Sequence, residues 1–239
     1  DRGTFDDLQP LPRLDFLDPK YFSPNGVDDL PVPVLKIEEA HLIKCEVEIV
    51  NGQLGDAQNT MKDIIGLVAS RTPTAVDDRR EGRSEDFPGA RPDSSDISVA
   101  ASAEDPAREG LVLYRGGDPV EVSTVSGTSV TEAMIDAVGS EDEALELLYL
   151  LRQEIFIAEG RRMTDMGIRY VVSENESLLN DNVAEGDPAL VVALPDFIDA
   201  IKTELDAFTY DPVARTCVIT HNVNALLAAN KEKVLPFYK

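Results

Sequence analysis

Apolar residues recur at helical spacing in several stretches of this chain. Leu35, Ile37, Leu42, Ile43, Val47 and Val50 predict a helix over 35–51 that stops at Asn51-Gly52. A second run after Gly55 places Ala57, Met61, Ile64, Ile65 and Val68 on one inner face. Together they read as a helical hairpin with a Gly-containing turn and a small Ala early in its second arm, which is TPR-like. No second copy of a period of about 34 residues follows. Further on, Ser140-Glu141-Asp142-Glu143 forms a capping-box sequence. Behind it, Leu145, Leu147, Leu148, Tyr149, Leu151 and Ile155 give a face so wide that most of the helix circumference is expected to be buried. Shorter patterns predict helices over 128–138, capped by Thr128 or Ser129, and over 193–208, with Pro195 in the first turn.

Between these elements the pattern changes. Pro10, Pro12, Pro19, Pro24, Pro31 and Pro33 forbid a long helix in residues 1–34, which are expected to lie extended over the domain. Residues 71–127 lose all periodicity and read as an insertion. Within it, 111–114 and 120–125 flank Gly116-Gly117 as a short β-hairpin. Residues 173–188 are polar and loop-like, and 215–220 suit a strand. The predicted fold is mainly α: TPR-like helical hairpins in one domain over 1–239, with a long irregular insertion at 71–127 that contains a small β-hairpin.

Composition narrows the chemistry. With 239 residues, 43 % of them hydrophobic, the chain can bury a substantial core. A formal net charge of −23 argues against a nucleic-acid backbone or an anionic membrane surface as partner. Arg outnumbers Lys, and an acidic surface with few lysines suits a high-salt, halophilic milieu in which ions screen self-repulsion. Cys45 falls on the apolar side of the first helix and reads as a small buried hydrophobe; a bridge to Cys217 stays open in an oxidising compartment. No apolar run reaches the length of a membrane span. Near Asp1 there is neither a signal-like segment nor a lipid-attachment Cys, which reads as a processed or truncated piece.

The densest chemistry lies at 152–169. Glu154, Glu159, Arg162, Asp165 and Arg169 combine acids and bases, and Glu159, Arg162 and Asp165 share one side if the helix continues through them. Gly160, which costs a helix about 1 kcal/mol relative to Ala, marks a bend or a close contact. Two carboxylates could serve acid–base catalysis. The stronger reading is structural, a carboxylate–arginine cluster that clamps helix ends. Loss of Arg162 is then expected to destabilise the domain strongly.

The Glu159-Gly160-Arg161-Arg162-Met163-Thr164-Asp165 run behind a helix bearing Arg152 and Glu154, with Arg169 beyond, resembles the signature of SusD/RagB-like proteins. Lys36, Glu39, Ala40, Glu46, Gly55, Ala57 and Arg71 fit that family's upstream helical hairpin. Arg169 falls four residues after Asp165 instead of two or three, and Met163-Thr164 replace the common aromatic pair. The resemblance covers 31–71 and 141–169 and implies the C-terminal helical part of a family member. It implies a non-enzymatic, nutrient-binding lipoprotein of the outer membrane, lipid-anchored, beside a TonB-dependent (SusC-like) transporter. Its ligand would be an oligosaccharide or a peptide, with no cofactor, and its charged motif would be structural. The competing class is a TPR-like scaffold for protein–protein interaction; an enzyme ranks third.

Other residues carry less. His41 and His221 are single histidines with no companion pattern. Glu174-Asn175-Glu176 and Asn180-Asp181-Asn182 offer hard oxygen ligands for calcium but match no EF-hand loop. No Walker loop, dinucleotide fingerprint, nucleophile elbow or zinc-protease motif occurs. The chain lacks Trp and is 6 % aromatic, so Tyr114 is the one sugar-stacking candidate. The insertion, as an excursion from a helical scaffold, is where ligand binding is expected.

Overall fold

The hairpin at the start of the pattern forms as α1 (Ile37–Val50) and α2 (Leu54–Ala69), separated by a turn at Asn51 and a left-handed Gly52. Cys45 and Ala57, both fully buried, face each other where the helices touch, with the Cys45 thiol 3.6 Å from the Ala57 carbonyl. The computed structural model describes residues 33–76, 98–108, 120–123, 125–157, 159–169, 171–187 and 190–234.

The buried face of α1 differs from the predicted one. Leu42 and Ile49 are inside, but their neighbours there are Cys45, Glu38 and Glu46, while Leu35, Ile37, Ile43 and Val47 are exposed. Hydrophobicity alone misreads this helix because two carboxylates on its inner side have ion partners waiting across the interface.

After α2, β1 (Pro73–Val76) pairs antiparallel with β3 (Val120–Ser123), from Pro73↔Ser123 to Val76↔Val120. The first arm of the predicted 111–125 hairpin lies outside the described residues, as do Tyr114 and residues 1–32; the described partner of 120–123 is β1. Between them, β2 (Ser98–Ala100) joins a different sheet. There β5 (Thr216–Ile219) is central, parallel to β2 and antiparallel to β4 (Phe208–Asp211). The strand predicted at 215–220 is thus present.

The helix predicted over 128–138 shortens to α3 (Glu132–Asp136), capped by Thr131 and not by Thr128 or Ser129, whose side chains serve elsewhere. Gln58 of α2 donates from Nε2 to the carbonyls of Ile135 and Val138, satisfying the end of α3. Helix α4 (Glu141–Ile155) starts at the predicted capping box, with Ser140 and Glu143 hydrogen-bonded reciprocally. It is the axis of the molecule: Leu145, Leu148, Leu151 and Ile155 are fully buried, and it packs on α1, α2 and, on another side, α8 (Val223–Ala229).

Three short helices follow α4: α5 (Arg162–Asp165), α6 (Glu174–Leu179) and α7 (Asp196–Asp199). Helix α6, capped by Ser173, occupies part of the stretch read as loop. The helix predicted over 193–208 is reduced to α7; residues 200–206 run in turns, and β4 begins at Phe208, which pairs with β5. Residues 231–234 form a last turn, α9 (Lys231–Val234). The whole is mainly α with a small β part. One hydrophobic core surrounds α4, and the three-stranded sheet stands outside it.

Candidate functional site

The charged motif is dispersed. Helix α4 ends at Phe156, and Gly160 turns the chain at φ +73° with nothing within 4 Å of a Cβ placed there, so this glycine serves a bend and not a close contact. The chain restarts in α5, and Glu159, Arg162 and Asp165 do not share a helical side.

Glu154, Glu159, Arg162 and Asp165 meet different partners. Lys36 is buried; its Nζ donates to Glu159 at 2.6 Å and to the Ile155 carbonyl at 2.7 Å, which closes the C-terminal end of α4. The same ammonium lies 4.6 Å from the Phe156 ring, and Arg161, paired with Glu39, stands at 5.1 Å. Arg152 reaches Glu46 at 2.6 Å and Asp165 at 3.6 Å. Glu38, fully buried, takes a forked pair of bonds from Arg71. Glu154 accepts from the Thr128 hydroxyl at 2.6 Å, the Ser129 amide at 2.7 Å and the Ser129 hydroxyl. Arg162 instead pairs with Asp206 on the surface, with side chains 46 % and 68 % exposed, which corrects its reading as a buried clamp. Arg169 has an exposed side chain and contributes a backbone bridge to Ala193.

The titration of these groups follows their surroundings. Burial pushes the Glu38 carboxyl up, but hydrogen bonds from Arg71, its own backbone and Ser126 outweigh it and hold it below the usual carboxylate range. For Asp165 burial wins over the attraction of Arg152 and Arg161, and its carboxyl is raised. Burial opposes the charge of Arg152, yet Asp165 and Glu46 together keep it firmly protonated. The two segments that carry the resemblance are therefore locked to each other by ion pairs running from α1 to the end of α4 and the chain beyond it.

A cavity of about 760 Å³ opens on the other side of α4, within the size range of small-molecule sites. Its walls come from the stretch after β2, from α3, from the outer face of α4, from Leu205-Asp206, from the end of β5 and from the start of α8. Val99, Met134, Val138, Leu147, Leu150 and Val223 make the body of the wall apolar.

Its polar groups are arranged by the ends of elements. Asn222 caps α8, accepting from the Ala225 amide at 3.0 Å, and its Nδ2 donates to Glu146 at 2.7 Å and to Asp105 at 3.1 Å. One amide thus draws two half-buried carboxylates together, and neither forms an ion pair with a described residue. Arg108 donates to the carbonyl and hydroxyl of Ser129, the residue that also holds Glu154. Asn224 lines the same wall, and its buried Oδ1 lacks a donor among the described residues. His221 lies 3.4 Å from Glu204.

Among the described residues the lining has no Ser, Thr, Cys, Lys or Tyr, and its reactive side chains are carboxylates and His221. Nor, among the described residues, does the lining have a Phe, Tyr or Trp to offer a flat platform to a pyranose. Among the described residues no group of three His, Cys, Asp or Glu is placed to hold a metal ion, the two calcium-like stretches included. Both cysteines are free and buried.

Of the sequence-named residues, Glu154 and Arg162 touch the cavity, while Glu159, Asp165 and Arg169 do not; Tyr114 lies outside the described residues. Asp105, Glu146 and Asn222 were not legible as a site. The one available signal was Asn222 before an apolar run, which reads as a helix cap and not as a ligand-facing group. No family model matches the chain, and comparison with curated proteins and with solved structures gives no match.

Proposed function

We propose that this chain is a non-enzymatic binding protein and that its ligand occupies the cavity beside α4. The carrying observation is a preformed cavity with a largely apolar wall on which Asn222 gathers Asp105 and Glu146. With the resemblance of 31–71 and 141–169, the reading becomes a nutrient-binding component of an outer-membrane uptake system of SusD/RagB-like type, lipid-anchored in the full protein and acting beside a TonB-dependent transporter. The ion pairs that join those two segments support a structural role for the motif. Apolar walls with no aromatic ring among the described residues favour a ligand with an apolar body over a pyranose chain.

The test is calorimetric titration of small apolar ligands into the parent and a Leu150→Trp variant, in which the indole fills the cavity. Binding to the parent with loss of at least about tenfold, or 1.4 kcal/mol, in the variant supports the reading. Equal binding by both removes the cavity as the site.

A second reading, a TPR-like scaffold, is favoured by the outer stripe of α1, where Ala40, Ile43 and Val47 are exposed. The transporter is the partner this face would meet. Ile43→Glu with Val47→Glu should abolish co-purification with it and leave ligand titration unchanged; retained co-purification counts against this face.

A further inference from the structure

We propose that the ligand of the cavity is an amine: an apolar body carrying a protonated nitrogen, seated against Asp105 and Glu146. This deepens the binding reading given above and rests on it.

Charge around the cavity is unequal. Asp105, Glu143, Glu146, Glu154 and Asp206 contribute carboxylates, against the guanidinium groups of Arg108 and Arg162. Arg162 is paired with Asp206, while Arg108 is engaged by hydrogen bonds to Ser129, whose hydroxyl in turn donates to Glu154. Glu143 is used by the cap of α4, where it accepts from the amides of Gly139 and Ser140. Asp105 and Glu146 are left, and each takes one hydrogen bond from Asn222 although an ionised carboxylate accepts several.

Their position makes the excess matter. They converge on one amide at the N-terminal end of α8, half-buried, beside a wall of Leu147, Leu150 and Val223. Charge–charge attraction is strengthened where apolar walls exclude water. A primary ammonium supplies three donors and a positive charge to two acceptors that want both. The buried acceptor of Asn224 adds to the surplus of acceptors over donors on the same wall. An anion entering here meets two unmatched carboxylates and the field of a chain with net charge −23. A bare metal ion gains little from two ligands against an apolar wall.

The experiment compares three ligands with one body: 4-phenylbutylamine, 4-phenylbutan-1-ol and 4-phenylbutyrate, titrated at pH 7 and moderate salt. The amine should bind about tenfold or more tightly than the alcohol, a difference of 1.4 kcal/mol, and the acid should not bind. Asp105→Asn with Glu146→Gln should bring amine and alcohol within about threefold. Glu174→Gln with Glu176→Gln, which removes equal charge from the exposed helix α6, should leave the preference intact. If the double variant at the cavity does not fold, Glu146→Gln alone should still reduce the preference severalfold. Equal binding of amine and alcohol to the parent overturns the amine proposal while leaving the cavity as a binding site. A preference lost equally in the α6 variant assigns it to the general field and also overturns it. No binding by any of the three, with Leu150→Trp also silent, takes down the cavity reading itself.

Discussion

Lys36 and Arg162 show how little a residue type says about its energetic weight. Both are cations paired with a carboxylate, yet Lys36 is buried and donates to Val125, Ile155 and Glu159, while the Arg162 pair stands in water. Breaking a buried pair strands a charge and costs about 3–5 kcal/mol, whereas exposed pairs are worth about 0–1 kcal/mol. Lys36→Met and Arg71→Ala should therefore lower unfolding free energy by several kcal/mol in urea titrations, and Arg162→Ala by less than about 1 kcal/mol. An Arg162 variant as damaged as the other two would restore the sequence expectation of a buried clamp. Cys45 makes a pH-dependent case. Burial pushes its thiol up to about 12, whereas a thiol in the unfolded chain ionises near 8.5. Between these values the unfolded state has released a proton that the native state keeps, so stability present below pH 8.5 declines as pH rises toward 12. Urea midpoints at pH 8 to 10 should fall more steeply for the parent than for Cys45→Ala; parallel slopes would show that the thiol is not so enclosed.

Elements were legible where local and tertiary signals agreed. The capping box at Ser140, the hairpin of α1 and α2, and the strand β5 all follow from residue order. The failures have physical causes. On α1 the exposed Ile43 and Val47 outscore Glu38 and Glu46 in any hydrophobic pattern, but the carboxylates are inside because Arg71 and Arg152 meet them. Past Asp199, the helical pattern breaks into turns over 200–206 before β4 begins at Phe208. The cavity was hidden because it joins side chains from β2, α4 and α8, distant in sequence and unremarkable in type. Within the predicted insertion, the stretch after β2 forms one wall of the cavity proposed as the site. Because β1 and β3 lie side by side, with Val76 opposite Val120, the chain leaves and returns at one point. Replacing 78–118 by a short Gly-containing turn should keep helical circular dichroism and cooperative melting while ligand titration is lost. Undiminished binding would move the site to another part of the molecule.

For the molecule as a whole, the acidic balance sets the conditions under which it is stable. Self-repulsion at net charge −23 weakens as ions shorten the screening length from about 10 Å at 0.1 M to about 3 Å at 1 M. Melting temperature should rise from dilute buffer to molar sodium or potassium chloride, and a flat or falling curve would count against a high-salt habitat. The sheet responds to a different variable. Strand β2 is tied to β5 through Ser98↔Thr216, Val99↔Cys217 and Ala100↔Val218, with a single bridge from Val99 to Arg108 behind it. A ladder that short frays without melting the helices. Deuterium should enter the amides of residues 98–100 far sooner than those in the middle of α4, and a bound guest should slow the first set alone. If a guest occupies the cavity as proposed, its residence time is set by a fraying strand, and it would enter and leave while the core around α4 stays shut.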